Sequence, residues 1–288
     1  MAAAFLCYDS CMTTEEKFEL LKDEIEVASK LARAYFDSED FSNEQKEDGS
    51  VVTKIDQEIE KVLRDFIGRH FPDDAIVGEE QENKEGTSGF VWHIDPIDGT
   101  DNFLRKIPFC CISVARLGDT PEDSFAIIHN PITSHTFSSY GDNGHYENER
   151  IVKMTAEPLS GKYAFSVCRG RKKWMYPAGR NIIAALAAEY GKASGYGSCA
   201  LEFAYVAAGR IDGLITFGLN TYDYGAGLYL VRAAGGAISV FEDGSWKLYE
   251  GSIKDLCDEH GKTIFVSHPD VHMEMRDFIG NPERWADE

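Results

Sequence analysis

No run in the 288-residue chain approaches the roughly 20 consecutive apolar residues that a membrane-spanning helix needs, which argues against a helical membrane protein. A basic leader is also missing: Met1-Ala-Ala-Ala-Phe-Leu-Cys7 carries no positive side chain and meets Asp9 at once, so no secretory signal is expected. The seven cysteines form no pattern. Their number is odd, Cys110 and Cys111 are adjacent, and no C-x-x-C pair occurs, which argues against a disulfide framework and a thiolate zinc site. Reduced thiols in a cytoplasmic protein are the expectation. Positive charge is scarce, with 29 basic side chains against 49 acidic ones and a net charge of −20. Such a field repels phosphate backbones and anionic lipid, so neither nucleic acid nor a membrane surface is an expected partner. An anionic substrate would need a local source of positive charge. Repeats and low-complexity segments are absent.

What is present suffices for a core: 43% hydrophobic and 12% aromatic residues, in a length that corresponds to about two domains or one large one. Thr13-Thr14-Glu15-Glu16 is a capping box, and Phe18, Leu21, Ile25, Ala28, Leu31, Ala32 and Tyr35 then recur at helical spacing. After the polar stretch 42–49, Ile55, Ile59, Val62, Leu63, Phe66 and Ile67 mark a second helix that Pro72 closes, with Asp56 in its first turn. Short β-branched and aromatic runs follow at 75–77, 90–94, 112–115, 125–128 and 136–137. The second half alternates strands (163–167, 213–217, 237–240, 263–266) with helices (178–190, 199–208, 224–234). This reads as an α/β protein, α+β in its N-terminal part and α/β in its C-terminal part. A boundary near Glu157-Pro158 divides it into subdomains 1–157 and 158–288, the first carrying most of the candidate ligands and the second supplying Asp223 and the substrate pocket.

The most informative stretch is Trp92-His-Ile-Asp95-Pro96-Ile97-Asp98-Gly99-Thr100-Asp101-Asn102-Phe103. An apolar strand ends at Asp95, Pro96 and Gly99 force a turn, and Thr100 starts a short helix. Two carboxylates about 4 Å apart repel by roughly 4 kcal/mol at an effective dielectric near 20, so Asp95 and Asp98 on one turn favour a bound cation. Oxygen ligands, the Ile97 carbonyl included, suit Mg²⁺ rather than zinc. The N–H groups of Gly99 and Thr100 at a helix start form a phosphate cradle. Metal and cradle together indicate phosphoryl chemistry. Two further places present acids at element ends: Gly78-Glu79-Glu80, after a strand, and Thr221-Tyr222-Asp223-Tyr224-Gly225-Ala226-Gly227, where Asp223 precedes a helix rich in small residues. The bland alternatives are an N-cap at Asp223, solvated acids at Glu79 and Glu80, and an ordinary turn at Asp95 to Asp98.

These motifs resemble the Mg²⁺-dependent, lithium-sensitive phosphatases typified by inositol monophosphatase. The family pattern G-E-E, D-P-[IL]-D-G-T-x-N-F, W-D-x-A-[AG]-G and G-G is met in order by Gly78-Glu79-Glu80, Asp95 to Phe103, Asp223 to Gly227 and Gly235-Gly236, and V-T-x-x-D by Val52 to Asp56. The resemblance implies a layered α-β-α-β-α sandwich shared with fructose-1,6-bisphosphatase, a homodimer, and two or three Mg²⁺ per site. It implies Glu79, Asp95 and the Ile97 carbonyl around a first ion, Glu79 reaching a third, and Asp95, Asp98 and Asp223 around a second. Thr100, hydrogen-bonded to Asp56, would orient the attacking water. Asp98, Gly99, Thr100, Gly197, Ser198, Cys199, Thr216 and Asp223 would meet the substrate. The implied activity is that of a phosphoric monoester hydrolase acting on inositol monophosphate or a related small sugar or polyol phosphate by direct attack of water.

The departures bear on substrate. Tyr222 replaces the family's Trp, Thr216 stands where animal enzymes have a hydroxyl-binding Glu, and the Arg of R-x-x-G-[ST]-A-A is Ser194. Arg169-Gly-Arg171-Lys172-Lys173 is the only basic cluster, either a solvated loop or a grip for a second anionic group. The alternatives are therefore a fructose-1,6-bisphosphatase-like or 3'(2'),5'-bisphosphate nucleotidase-like activity, or a non-catalytic regulatory protein on the same fold. Three motifs read as decoys. Cys110 to Arg116 fits C-x₅-R, but its interior is a buried strand without glycine. Gly195-Tyr-Gly197-Ser-Cys-Ala200 imitates a dinucleotide loop, but 184–190 before it reads as helix rather than strand. His268 and His272 have metal-like spacing, yet surface positions at a helix start are expected, and His93 reads as a satisfied core histidine.

Overall fold

The structure, a computed structural model, describes residues 12–38, 43–45, 51–155, 162–170, 172–282 and 285. The N-terminal half runs α1 (Thr14–Asp37), β1 (Asn43–Gln45), β2 (Val51–Thr53), α2 (Lys54–His70), β3 (Ala75–Gly78), β4 (Val91–Asp98), α3 (Thr100–Leu104), β5 (Cys111–Leu117), β6 (Phe125–Asn130), β7 (His135–Tyr140), β8 (His145–Glu147) and β9 (Arg150–Val152). The remainder runs β10 (Tyr163–Arg169), α4 (Met175–Tyr190), β11 (Gly191–Ser194), α5 (Cys199–Ala207), β12 (Gly213–Phe217), α6 (Thr221–Ala233), β13 (Ala237–Glu242), β14 (Ser245–Leu248), α7 (Ile253–Leu256), β15 (Thr263–Ser267) and α8 (Pro269–Ile279). Glu157-Pro158, the expected subdomain boundary, lies outside the described residues.

Local chemistry sets the first elements. Thr13 caps α1 reciprocally, its Oγ1 accepting from Glu16 N (3.2 Å) and Glu16 Oε2 accepting from Thr13 N (2.8 Å). The apolar stripe Phe18, Leu21, Ile25, Ala28 and Ala32 is buried, whereas Leu31 and Tyr35 pack at its margin. Thr53 and Asp56 form the same box on α2, so Asp56 is locked into the first turn and fully buried.

Strands β3 to β9 form a seven-stranded sheet in sequence order, parallel at β3/β4 and antiparallel elsewhere. A six-stranded sheet has the order β11-β10-β12-β15-β13-β14. Period-two alternation sorts residues between layers. In the first sheet Ile112, Val114, Phe125 and Ile127 pack under α1 and α2, while Cys111, Ala115, Ala126 and Ile128 join a central core with α5 and α6. In the second, Leu214, Ile264 and Val266 face that central core, and Ile215, Phe217 and Phe265 face α4 and α8. The result is the expected α-β-α-β-α sandwich. β8, β9, β11 and β14 escape the sequence reading because they are three or four residues long and weakly patterned.

Candidate active site

β4 runs past Asp95, where the sequence suggested it would end, and continues through Pro96 to Asp98. The correction has a simple cause. Asp95 pairs with Ser113 and Asp98 with Cys111, so three steps on β4 match two on β5, and the extra residue is taken up in a bulge beside a proline that has no N–H to donate. The bulge brings Asp95 and Asp98 to the same side. Gly99 then turns into the left-handed region (φ 88°) and starts α3. A Cβ there would lie 3.0 Å from the Gly197 carbonyl oxygen and 3.1 Å from that of Phe109, so only glycine fits both the turn and the close approach.

Asp223 arrives from the other half of the chain. It is the third residue of α6, not its cap: Asn220 is the cap, and its N–H donates to Asp223 Oδ2 (2.7 Å). One oxygen each from Asp95, Asp98 and Asp223 lies within 4.8 Å of the others. Small residues permit this meeting. A Cβ on Gly225 would lie 3.3 Å from the His93 side chain, and one on Gly227 would lie 2.4 Å from Phe203. Asp98 Oδ2 also accepts from Ser198 Oγ (2.6 Å) and Ala200 N (2.7 Å) at the start of α5, so this carboxylate joins the first sheet to the central helices.

Glu79 follows β3 and is half-buried, its N–H donating to the Ile94 carbonyl (3.2 Å). Its loop is fixed by Glu60, which the sequence reading missed. Glu60 is fully buried and accepts from Glu80 N (2.7 Å), Gln81 N (3.1 Å) and Arg64 Nε (2.7 Å). The available signal was an acid four residues after Asp56 on the buried side of an otherwise apolar stripe.

Electrostatics fits a cation. Burial, followed by the charges of Glu79, Asp98, Asp223 and Asp56, pushes Asp95 well above the carboxylate range. Burial raises Asp98 to about 6, opposed by its bonds from Ser198, Ala200 and Cys199. Asp95 Oδ1 is buried without a hydrogen-bond partner. Clustered carboxylates with an orphaned oxygen are a donor set for a hard divalent ion, which would relieve both the repulsion and the missing bond. Thr100 Oγ1 donates to the Ile97 carbonyl (3.0 Å) instead of to Asp56 as the resemblance implied. Asp56 Oδ2 instead accepts from both the N–H and the hydroxyl of Thr53 in the capping box of α2.

A cavity of about 1050 Å³ opens from the carboxylates and is lined as well by Arg169, Lys172, Tyr176 and Asn220. Gly197 and Cys199 line it too. Two expected substrate contacts do not. Ser198 is fully buried and spends its hydroxyl on Asp98. Thr216 is fully buried in β12, paired with Cys168 across the ladder, and its hydroxyl has no partner, so the position of the family's sugar-binding Glu is closed to substrate here. Arg169 lays its guanidinium over the Tyr176 ring at 3.7 Å. Arg171 lies outside the described residues.

The decoys resolve into structure. Cys111–Leu117 is a buried strand whose Arg116 pairs with buried Asp74 (2.7 Å). His268 caps α8, but His272 is buried, not at the surface, with its two ring nitrogens on Ser239 and Ser267 (2.8 Å each). His93 is buried, though its Nδ1 lacks a partner. A strand, β11, does precede the Gly195 loop, because Gly191 (φ 115°) ends α4 at Tyr190.

The profile of the inositol monophosphatase family matches residues 15–264. The Escherichia coli Nus factor SuhB is 34% identical over 226 residues, covering 77% of this chain and 84% of the relative. The Rhizobium meliloti inositol-1-monophosphatase is 32% identical over 232 residues, with the same coverages. In three dimensions the Thermotoga maritima IMPase superposes with a TM-score of 0.76 at 23% identity, over 94% of this chain and 99% of the other.

Proposed function

Because the chain belongs to the inositol monophosphatase family, we propose that it is a divalent-metal-dependent phosphatase that hydrolyses inositol monophosphate or a related small sugar or polyol phosphate. The observation that supports this is the convergence of Asp95, Asp98 and Asp223, from two elements far apart in sequence, beside a glycine turn at the floor of a cavity. Glu79, Asp95, the Ile97 carbonyl, Asp98 and Asp223 would hold Mg²⁺, two or three ions being the number that the family resemblance implies. When bound, such ions supply charge neutralisation and a more acidic water. The protein's own groups do the rest. Gly99 and Thr100, at the start of α3, offer N–H groups to phosphate oxygens. The Thr100 hydroxyl, on the Ile97 carbonyl, is placed beside the carboxylates to orient a water, with Asp56 buried nearby.

A second reading rests on Arg169 and Lys172, which bring positive charge to the cavity wall of an acidic protein. A substrate with a second anionic group, such as a bisphosphate, would use them. The experiment is phosphate release from a panel of sugar, inositol and nucleotide mono- and bisphosphates, with and without Mg²⁺ and lithium. Mg²⁺-dependent, lithium-sensitive hydrolysis of monoesters that collapses in Asp98→Asn supports the first reading. Activity confined to bisphosphates selects the second. Silence across the panel would refute both and leave a non-catalytic regulatory role on the same fold.

A further inference from the structure

Glu202 is fully buried and is the one charged residue in α5, Cys-Ala-Leu-Glu-Phe-Ala-Tyr-Val-Ala. It does not line the cavity, yet its two oxygens divide their partners in an unequal way. Oε1 accepts from two backbone groups, Tyr196 N (3.0 Å) and Gly197 N (2.9 Å). Oε2 accepts from two side chains, Ser166 Oγ and Cys168 Sγ (3.1 Å). The segment held by Oε1 is a cavity wall. Its Gly197 carbonyl abuts the Gly99 turn, its Tyr196 carbonyl accepts from Asn102 Nδ2 (2.8 Å), and the next residue, Ser198, donates to Asp98.

From this division we infer that Glu202 is a positioning residue for substrate, which through Oε1 alone clamps the Tyr196–Gly197 peptide groups against the Gly99 turn. The inference rests on the phosphatase reading for its kinetic part only. Backbone N–H groups cannot reverse their role, so Oε1 must remain an acceptor. The Oε2 side is reversible. Ser166 Oγ is within reach of two acceptors, Glu202 Oε2 and the Ser194 carbonyl (3.1 Å), and has one hydrogen to give. A proton on Oε2 satisfies both: Glu202 donates to Ser166, and Ser166 to Ser194. Burial raises Glu202 to about 7, in keeping with that neutral form. A glutamine fits the same wiring, its Oε1 taking the two N–H groups and its Nε2 donating to Ser166 and Cys168. A methionine fills the volume but offers no such acceptor.

The test compares Glu202→Gln and Glu202→Met with wild type in two ways. Amide exchange at Tyr196 and Gly197 reads the clamp directly, and KM and kcat in Mg²⁺ on the best ester of the panel read its consequence. Glu202→Met is expected to speed exchange at both amides by about tenfold or more, and to raise KM by about five- to tenfold while kcat changes less than about threefold. Glu202→Gln is expected to match wild type in both. Loss in Glu202→Gln as large as in Glu202→Met would overturn the proposal, since charge rather than the Oε1 acceptor would then matter. So would Glu202→Met with a lowered melting temperature but unchanged amide exchange and KM. If wild type turns over no ester, the phosphatase reading fails separately, while amide exchange and calorimetric binding of inorganic phosphate with Mg²⁺ still decide the clamp.

Discussion

Asp98→Asn is expected to make the protein more stable and less active at once. Without metal, burial lifts Asp98 from the ordinary 3.8 to about 6, so above that pH the fold carries an ionised carboxylate at a cost of roughly 3 kcal/mol. The folded state binds the proton more tightly than the unfolded state. This stability is therefore fully present below about pH 4 and is lost as pH rises to about 6. Asparagine keeps an oxygen for Ser198 Oγ and Ala200 N, but two charge-assisted bonds become neutral ones, which offsets about 1–2 kcal/mol. The net expectation at about pH 8 in chelator is a gain of about 1–2 kcal/mol, or roughly 2–6 °C in melting temperature, shrinking toward about pH 4. Mg²⁺ reverses the order. Wild type gains about 2.7 kcal/mol at a hundredfold excess over its dissociation constant, and the variant, short of one ligand, gains less while phosphate release falls about 10²-fold or more. Circular dichroism melts in chelator and in Mg²⁺, at both ends of the pH window, check each step. A variant that melts below wild type in chelator, with Mg²⁺ raising both alike, refutes the repelling-cluster account.

Gly78→Ala places a Cβ 2.4 Å from Glu60 Oε1 and 2.8 Å from Arg64 Nη2, so Glu60, fully buried and held by Glu80 N, Gln81 N and Arg64, would have to give up part of that bonding. It is expected to cost about 1–3 kcal/mol and to weaken Mg²⁺ binding by calorimetry. Gly68→Ala, on the helix that carries Glu60 and with nothing within 4 Å, should instead stabilise by about 0.5–1 kcal/mol; equal effects would dismiss the role of Glu60. Thr216→Val removes a buried hydroxyl that has no partner, so thermal melts should show a gain of about 1 kcal/mol. Selectivity among sugar phosphates should stay within about twofold, and a clear change would return Thr216 to the substrate site.

Fold and site differ in how far the sequence discloses them. Helical periodicity and the capping boxes at Thr13 and Thr53 locate α1 and α2, and the apolar runs locate most strands, because these signals act over a few residues. β8, β9, β11 and β14 are set by pairing to neighbours already in place. Asp223 stands out locally as an acid before small residues. That it is N3 of α6, with Asn220 as the cap, is visible only in the backbone. Glu60 and Glu202 carry a readable signal, an acid on an apolar face, but its meaning lies in loops 20 residues onward or six residues back that the helix must meet.

The carboxylates on glycine-bearing turns were legible in the sequence, as a pattern that suits a hard cation. The layered order came from the family resemblance, and the structure shows how it is built, with alternate residues of β5, β6, β12 and β15 facing different cores. The tertiary structure decided which groups face the cavity. Ser198 and Thr216 turn inward, Arg169 and Lys172 line the wall, and His272 disappears between two serines. The reason is physical. A residue's own strand or helix fixes its direction, but its exposure depends on what the opposite layer places there, and here that layer comes from residues as much as a hundred positions away.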